Sequence, residues 1–81
     1  MKLPRDLSGA DLVKGLRRLG YEVTRQRGSH IRLSATIGER THHITVPDHD
    51  ALKTGTLNAI LKDVAAHAGR SRDELMEGLF R

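Results

Sequence analysis

The chain has 81 residues with 14 basic and 10 acidic side chains, so its net charge is +4 before any of the five histidines is counted. This length suits a single domain over residues 1–81. The absence of cysteine excludes disulfides, thiolate zinc sites and a cysteine nucleophile. No apolar run approaches the ~18 residues of a membrane span, and the first residues show no hydrophobic signal segment. We therefore expect a cytoplasmic protein that does not associate with membranes.

The first predicted element is a helix that begins after Ser8 and ends near Leu19. Ser8 and Asp11 have the spacing of a capping box, in which each side chain bonds the backbone of the other. Gly20 is typical of the position just past a helix end. The apolar residues at helical spacing are Leu12, Val13, Leu16 and Leu19.

Beyond Gly20 the hydrophobic period changes from 3.6 to 2, which indicates β-strands. In the first strand, Tyr21, Val23 and Arg25 alternate with Glu22, Thr24 and Gln26. Gly28 and Ser29 predict a turn. The second strand turns Ile31, Leu33, Ala35 and Ile37 to one face and His30, Arg32, Ser34 and Thr36 to the other. A strand from Thr41 to Val46 follows, with Ile44 and Val46 inward and His43 and Thr45 outward. Short turns between successive strands predict an antiparallel sheet.

A polar loop over residues 47–55 leads to the second helix, for which Thr54 or Thr56 is the expected N-cap. Its apolar stripe consists of Leu57, Ile60, Leu61, Val64 and Ala68. Ser71 and Glu74 form a second capping box, which predicts a short C-terminal helix with Leu75, Met76 and Leu79 inward. The predicted fold is α+β in the order α-β-β-β-α, with helices on one face of a three-stranded antiparallel sheet and an additional short C-terminal helix.

The positive charge is concentrated in the first helix and the sheet. Residues 1–47 carry nine basic and four acidic side chains, whereas residues 48–81 carry five and six. Three arginines, at positions 25, 27 and 32, surround the turn that precedes His30. Such a cluster is either a solvated edge that aids solubility or a site for phosphate groups. The histidine at its centre favours the phosphate site.

Three segments resemble the HicA toxin family of bacterial and archaeal toxin–antitoxin systems. The first is GYEV followed by RQRGSH, over residues 20–30, and the second is VPDH, over residues 46–49. The third is KTGTLNAILK, over residues 53–62, which is similar to the family's K-x-G-T-L-x-x-I-L-K pattern. The loop over residues 34–40 and the extension over residues 70–81 depart from the family's pattern.

The resemblance implies a fold similar to the double-stranded-RNA-binding domain and the activity of a small ribonuclease that cleaves mRNA. It assigns the activity to the histidine of the G-S-H segment, which is His30, and it implies a HicB-type antitoxin that binds the toxin and covers this site. His49 matches the histidine of the P-x-H segment and is a possible second acid or base. We expect the toxin to be monomeric on its own.

Cleavage of RNA suits this residue set because the 2′-OH of the substrate is itself the nucleophile. Histidine exchanges protons near neutral pH, and arginines stabilise charge on phosphorus, so neither a metal nor a cofactor is required. We expect Arg25, Arg27, Arg32 and Lys53 to hold phosphates. Gly28 would let the backbone approach the RNA closely, and Ser29 would donate to a phosphate oxygen. Both are also ordinary turn residues.

Two other functions fit the same residues. The chain could be a non-catalytic RNA-binding module of this fold. It has few aromatic residues on which bases could stack, so it would bind RNA through the phosphates and sugars. It could also be an interaction domain whose arginines bind an acidic protein. The adjacent His42 and His43 suggest a metal site only weakly, because neighbouring strand residues point to opposite faces. His42 falls on the apolar face, where we expect a partly buried, hydrogen-bonded side chain.

Overall fold

A computed structural model describes residues 6–80. The predictions made for residues 1–5 and for Arg81 therefore lie outside the described residues. The elements are α1 (Gly9–Arg18), β1 (Glu22–Arg27), β2 (His30–Ile37), β3 (Arg40–Pro47), α2 (Thr54–Ala68) and α3 (Arg72–Leu79). Within this described part, no helix combines the length and the apolar character needed to cross a bilayer.

The three strands form an open antiparallel sheet in the order β1-β2-β3, which confirms the predicted fold class. The helices cover one face of this sheet. The strand residues buried beneath them are Ile31, Leu33, Ala35, Ile44 and Val46. They pack against helix side chains that are almost fully buried, namely Leu12 and Leu16 of α1, Leu57, Leu61 and Val64 of α2, and Leu75, Met76 and Leu79 of α3. The opposite face of the sheet is open.

Both predicted capping boxes are present. The Ser8 hydroxyl accepts from the Asp11 amide at 3.0 Å, and the Ser71 hydroxyl accepts from the Glu74 amide at 3.2 Å. The predicted caps of α2 are wrong. The N-cap is Lys53, which makes no side-chain cap, and Thr54 is already helical. The helix starts this early because the Leu57 amide already donates to the Lys53 carbonyl at 3.0 Å. This start places the Leu57 side chain in the core.

A β-bulge at Thr24 overturns the simple alternation predicted for the first strand. Val23 lies opposite Leu33, but Arg25 lies opposite Arg32, so β1 contains one extra residue at this point. The Thr24 hydroxyl donates to the Arg32 carbonyl at 3.3 Å. Because side chains alternate between the faces of a sheet, one extra residue moves every later side chain to the other face. Arg25 therefore leaves the face of Val23 and joins the open face.

Ile37 has the predicted strand parity, but it is not buried in the core. Ile37 shares the parity of Leu33 and Ala35, yet it is 52% exposed. It is the last residue of β2 and pairs with Arg40, the first residue of β3, at the end of the hairpin. Its side chain lines a cavity together with Val64 and His67 of α2, so it faces the helices without being covered by them.

The loop after β3 joins α1 to the turn between β1 and β2. The Asp48 amide donates to the Ser29 carbonyl at 2.6 Å, and the Gly9 amide donates to the His49 carbonyl at 2.9 Å. The helix start lies very close to this loop: a Cβ added at Gly9 would sit 2.0 Å from the Pro47 carbonyl oxygen. The loop thus holds the turn before His30 against the helical layer.

Candidate nucleic-acid interface

The pairing of β1 with β2 brings His30 together with three arginines on the open face of the sheet. Arg27 lies opposite His30, and Arg25 lies opposite Arg32. Directly opposed residues of antiparallel strands have Cβ atoms about 4.5–5.5 Å apart. These four residues and Thr45 line a shallow cavity of about 260 Å³. The cluster that the sequence predicted around His30 is therefore present in three dimensions, and the bulge at Thr24 is what assembles it.

The arginines of this cavity have no acidic partner among residues 6–80. Within that part of the chain, the Asp63 carboxylate contacts the His42 imidazole, and neither residue lines this cavity. Like charges directly opposite each other across two strands destabilise a sheet, and Arg25 faces Arg32 in this way. A bound anion would relieve this repulsion. The cavity therefore has the charge and the donors of a phosphate site, with an imidazole beside them.

The turn before His30 has the predicted residues in turn conformation. Gly28 has a φ of 57°, in the left-handed region that glycine adopts without strain. No atom lies within 4 Å of a Cβ added there, so the backbone of the turn is open to a large ligand. The Ser29 side chain is exposed, and the backbone carbonyl of Ser29 accepts a hydrogen bond from the Asp48 amide. This contact fixes the position of the turn.

Lys53 and His49 do not line the cavity with His30. Lys53 is the N-cap of α2 and its side chain is exposed. His49 is exposed as well, and its backbone carbonyl bonds the start of α1. The structure thus gives the P-x-H segment a positioning role through its backbone. A role for either side chain in RNA binding or proton transfer stays a prediction.

The polar face continues along β2 and β3 beyond the cavity. The register places Thr45 opposite Arg32 and His43 opposite Ser34. The Ser34 Oγ and the His43 Nδ1 are 2.6 Å apart. His43 therefore lies on the same face as His30, as strand parity predicted, but several residues away along the strands.

His42 belongs to a separate hydrogen-bonded network that connects β3 with Tyr21 and with α2. Its Nδ1 is 2.7 Å from the Tyr21 hydroxyl, and its Nε2 is 3.1 Å from Oδ1 of Asp63 on α2. Burial, together with the charge of Asp63, raises the pKa of Tyr21 to about 12, so the hydroxyl remains a donor. With Tyr21 donating to Nδ1, the proton on Nε2 points to the carboxylate. The predicted partly buried, hydrogen-bonded His42 is confirmed.

His67 on α2 stacks on the imidazole ring of His42. The two ring centroids are 4.6 Å apart and the rings are inclined by 17°. The His67 side chain is only partly buried, yet its Nε2 is closed off from solvent and has no hydrogen-bond partner among the described residues. Burial and the nearby His42 and Arg40 lower the pKa of His67, while Asp63 opposes them. No three histidines or carboxylates in residues 6–80 come together as a metal-binding group.

Residues that sequence reasoning did not select complete this surface. Thr45 enters the cavity because it pairs with Arg32, which requires the register of β3 to be known. Asp63 meets the sheet only through the packing of α2 beside β3. The sequence contains no signal for this contact, since Asp63 is an ordinary exposed position of an amphipathic helix.

A family model described as "HicA toxin of bacterial toxin-antitoxin" matches residues 9–65 of the chain, which is more than half of its length. The match contains the whole sheet, the loop after β3 and most of α2. No curated protein and no solved structure matches the chain significantly.

Proposed function

Because the chain belongs to the HicA toxin family of bacterial toxin–antitoxin systems, we propose that it is a metal-independent endoribonuclease that cleaves mRNA in the cytoplasm. The observation that carries the proposal is the cavity in which His30 lies among three arginines that have no acidic partner within residues 6–80. In this proposal a HicB-type antitoxin binds the toxin and covers the cavity.

The reaction needs no group other than the substrate and these side chains. The 2′-oxygen of a ribose loses its proton and attacks the adjacent phosphorus, and the bond from phosphorus to the 5′-oxygen breaks. The 5′-oxygen takes up a proton, which leaves a 2′,3′-cyclic phosphate and a free 5′-OH. His30 acts as the general acid or base in these proton transfers.

The arginines stabilise the charge that develops on the phosphorane. Arg27 and His30 are directly opposed, so an RNA phosphate beside the imidazole is also within reach of a guanidinium. Arg25 and Arg32 face each other two residues further along the strands, and they would hold the same phosphate or the next one. The open backbone at Gly28 leaves room for the RNA chain on this side, where the Ser29 side chain is exposed.

The proposal is tested by incubating the purified protein with RNA in excess chelator. Cleavage is expected in the wild type, and His30→Ala should slow it by about 10²–10⁴-fold. The same variant should still bind an RNA that is 2′-O-methylated throughout, which shows that it is folded. Equal cleavage by His30→Ala and wild type would contradict the assignment. RNA binding without cleavage by the wild type would instead identify a non-catalytic RNA-binding module.

The phosphate contacts are tested by the salt dependence of binding. Replacing Arg25 or Arg27 with Ala should weaken binding to all RNA sequences and reduce the slope of log K against log salt by about 1. Arg40→Ala is the matched control, because Arg40 lies at the far end of the sheet and pairs with Ile37. RNA binding that does not weaken with added salt would contradict the phosphate site.

In cells, expression of the chain should arrest growth, and His30→Ala should relieve the arrest. Co-expression of the HicB-type antitoxin that this proposal assumes should relieve the arrest too. Growth arrest that persists in His30→Ala would separate toxicity from cleavage at this cavity.

A further inference from the structure

A second cavity, of about 420 Å³, lies beside the one that contains His30. The two share Arg32 and Thr45 on the open face of the sheet. From there the second cavity extends around the outer edge of β3 to α2. Its other lining residues are His43 and Ile44 of β3 and Ala59, Ile60 and Asp63 of α2. A nucleotide whose phosphate is bound by Arg32 could therefore place its base toward α2.

The carboxylate of Asp63 is held in a fixed orientation at the wall of this cavity. Its Oδ1 is 3.1 Å from the His42 Nε2, and the His42 Nδ1 is in turn 2.7 Å from the Tyr21 hydroxyl. The His42 side chain is only 15% exposed, whereas that of Asp63 is 59% exposed. A carboxylate has about four lone-pair sites, so the bond to His42 leaves most of them available. The network thus presents an oriented acceptor to solvent.

The lining of the cavity combines this acceptor with apolar surface. Ala59 and Ile60 come from the same helix as Asp63, and Ile44 comes from β3. The exposed Ala59 side chain can contact the flat face of a base without an aromatic ring, whereas Ile44 and Ile60 lie mostly within the core. A carboxylate only accepts hydrogen bonds, so it selects a base edge made of N–H donors. Guanine has two adjacent donors, N1–H and N2–H₂, on its Watson–Crick edge, whereas the other RNA bases place an acceptor beside each donor.

We propose that this second cavity is a base-recognition subsite for guanine, in which the Asp63 carboxylate accepts from N1–H and N2–H₂ while Arg32 holds the neighbouring phosphate. The proposal rests on the proposed function in one respect, namely that the ligand of the sheet face is RNA. It adds a base preference to the contacts with phosphate. The Tyr21–His42–Asp63 network has a positioning role, since it orients the carboxylate and does not touch the RNA.

The test measures the binding of short RNAs that cannot be cleaved because every ribose is 2′-O-methylated. Fluorescence anisotropy compares an oligouridine with the same chain containing a single guanosine, inosine, adenosine or cytidine. Guanosine should strengthen binding by about tenfold to a hundredfold, as expected for a bidentate base contact. Inosine, which lacks the N2 amino group, should lose part of this gain.

Two variants and one control locate the preference in the cavity. Asp63→Asn places an amide N–H₂ against the base donors and should abolish the guanosine preference while leaving binding to oligouridine intact. Ala59→Leu should abolish it by filling the cavity, without touching the network. Ala66→Leu is the matched control, since Ala66 is also an exposed alanine of α2 but does not line the cavity. It should keep the preference.

The outcomes separate this proposal from its structural alternative and from the proposed function. Equal affinity of the wild type for all five RNAs would overturn it, as would an unchanged guanosine preference in Asp63→Asn. A lower melting temperature of Asp63→Asn with the preference intact would show that the network only attaches α2 to the sheet. Because the probes cannot be cleaved, a guanosine preference without cleavage of ordinary RNA would support the subsite and contradict the ribonuclease.

Discussion

Replacing Gly9 with alanine should destabilise the protein and disturb the turn before His30. Gly9 is the first residue of α1, where alanine is normally a better helix former than glycine. In this fold, however, the added Cβ would lie 2.0 Å from the Pro47 carbonyl oxygen and 3.1 Å from the Asp48 Cα. Both neighbours are backbone atoms, so no side-chain rotation can relieve the contact.

The size of the effect follows from how far the backbone must move. The Cβ contact must open from 2.0 Å to beyond 3.0 Å, which separates α1 from the loop after β3. Overpacking of this kind costs about 1–3 kcal/mol. The same movement weakens the hydrogen bond from the Gly9 amide to the His49 carbonyl, which contributes about 1 kcal/mol. The helix propensity of alanine returns up to about 1 kcal/mol. The net loss of unfolding free energy is therefore about 1–3 kcal/mol.

Thermal unfolding monitored by circular dichroism measures this loss. At about 4–8 °C per kcal/mol for a domain of this size, the melting temperature should fall by roughly 5–20 °C. Gly55→Ala is the matched control, because Gly55 also lies in the first turn of a helix but has no atom within 4 Å of an added Cβ. That variant should be as stable as the wild type or more stable by up to about 1 kcal/mol.

Hydrogen exchange then tests whether the damage is local to the turn. The Asp48 amide donates to the Ser29 carbonyl, immediately before His30. Movement of the loop in Gly9→Ala should therefore increase the exchange rate of this amide more than that of amides in the centre of the sheet. A Gly9→Ala protein with wild-type stability and wild-type exchange at Asp48 would refute the close packing of α1 on the loop.

Three further predictions concern stability. Tyr21→Phe removes the hydroxyl bonded to His42 and should lower the unfolding free energy by about 1 kcal/mol, measured by chemical denaturation. Because the folded pKa of Tyr21 is raised to about 12, the unfolding free energy of the wild type should fall as the pH rises from 10 to 12. The Phe variant should lack this pH dependence. Burial lowers the pKa of His67 in the folded state, so the unfolded chain binds more protons. The unfolding free energy should therefore fall as the pH drops below about 6.5. A His67→Gln protein whose unfolding free energy has the same pH dependence would contradict this cause. Ser8→Ala breaks the capping box with Asp11 and should lower unfolding free energy by about 1 kcal/mol, whereas an unchanged midpoint in urea would show that the cap contributes nothing.

Local patterns were sufficient to predict the elements of this fold. Ser8 with Asp11 and Ser71 with Glu74 marked two helix starts correctly, since a capping box involves only residues three apart. The start of α2 was mispredicted because Lys53 lacks a capping side chain and the threonines after it lie within the helix. Its position depends on where Leu57 must enter the core, which is a tertiary requirement.

The candidate site was predictable in its residues but not in its geometry. The segment from Arg25 to Arg32 pointed to a cluster around His30, and the resemblance to a toxin family pointed to the same histidine. Alternation nevertheless placed Arg25 on the same face of the strand as Val23. The extra residue of the bulge reverses this, and only the pairing of β1 with β2 reveals it.

The sequence by itself thus determined the order of elements, the concentration of basic residues before position 48 and the G-S-H turn, because each depends on spacing along the chain. The tertiary structure decided which side chains share a surface. Strand register brought Thr45 to Arg32, and the packing of α2 beside β3 brought Asp63 to His42. Such contacts join residues from different elements, and their formation depends on how the whole core packs rather than on any local pattern.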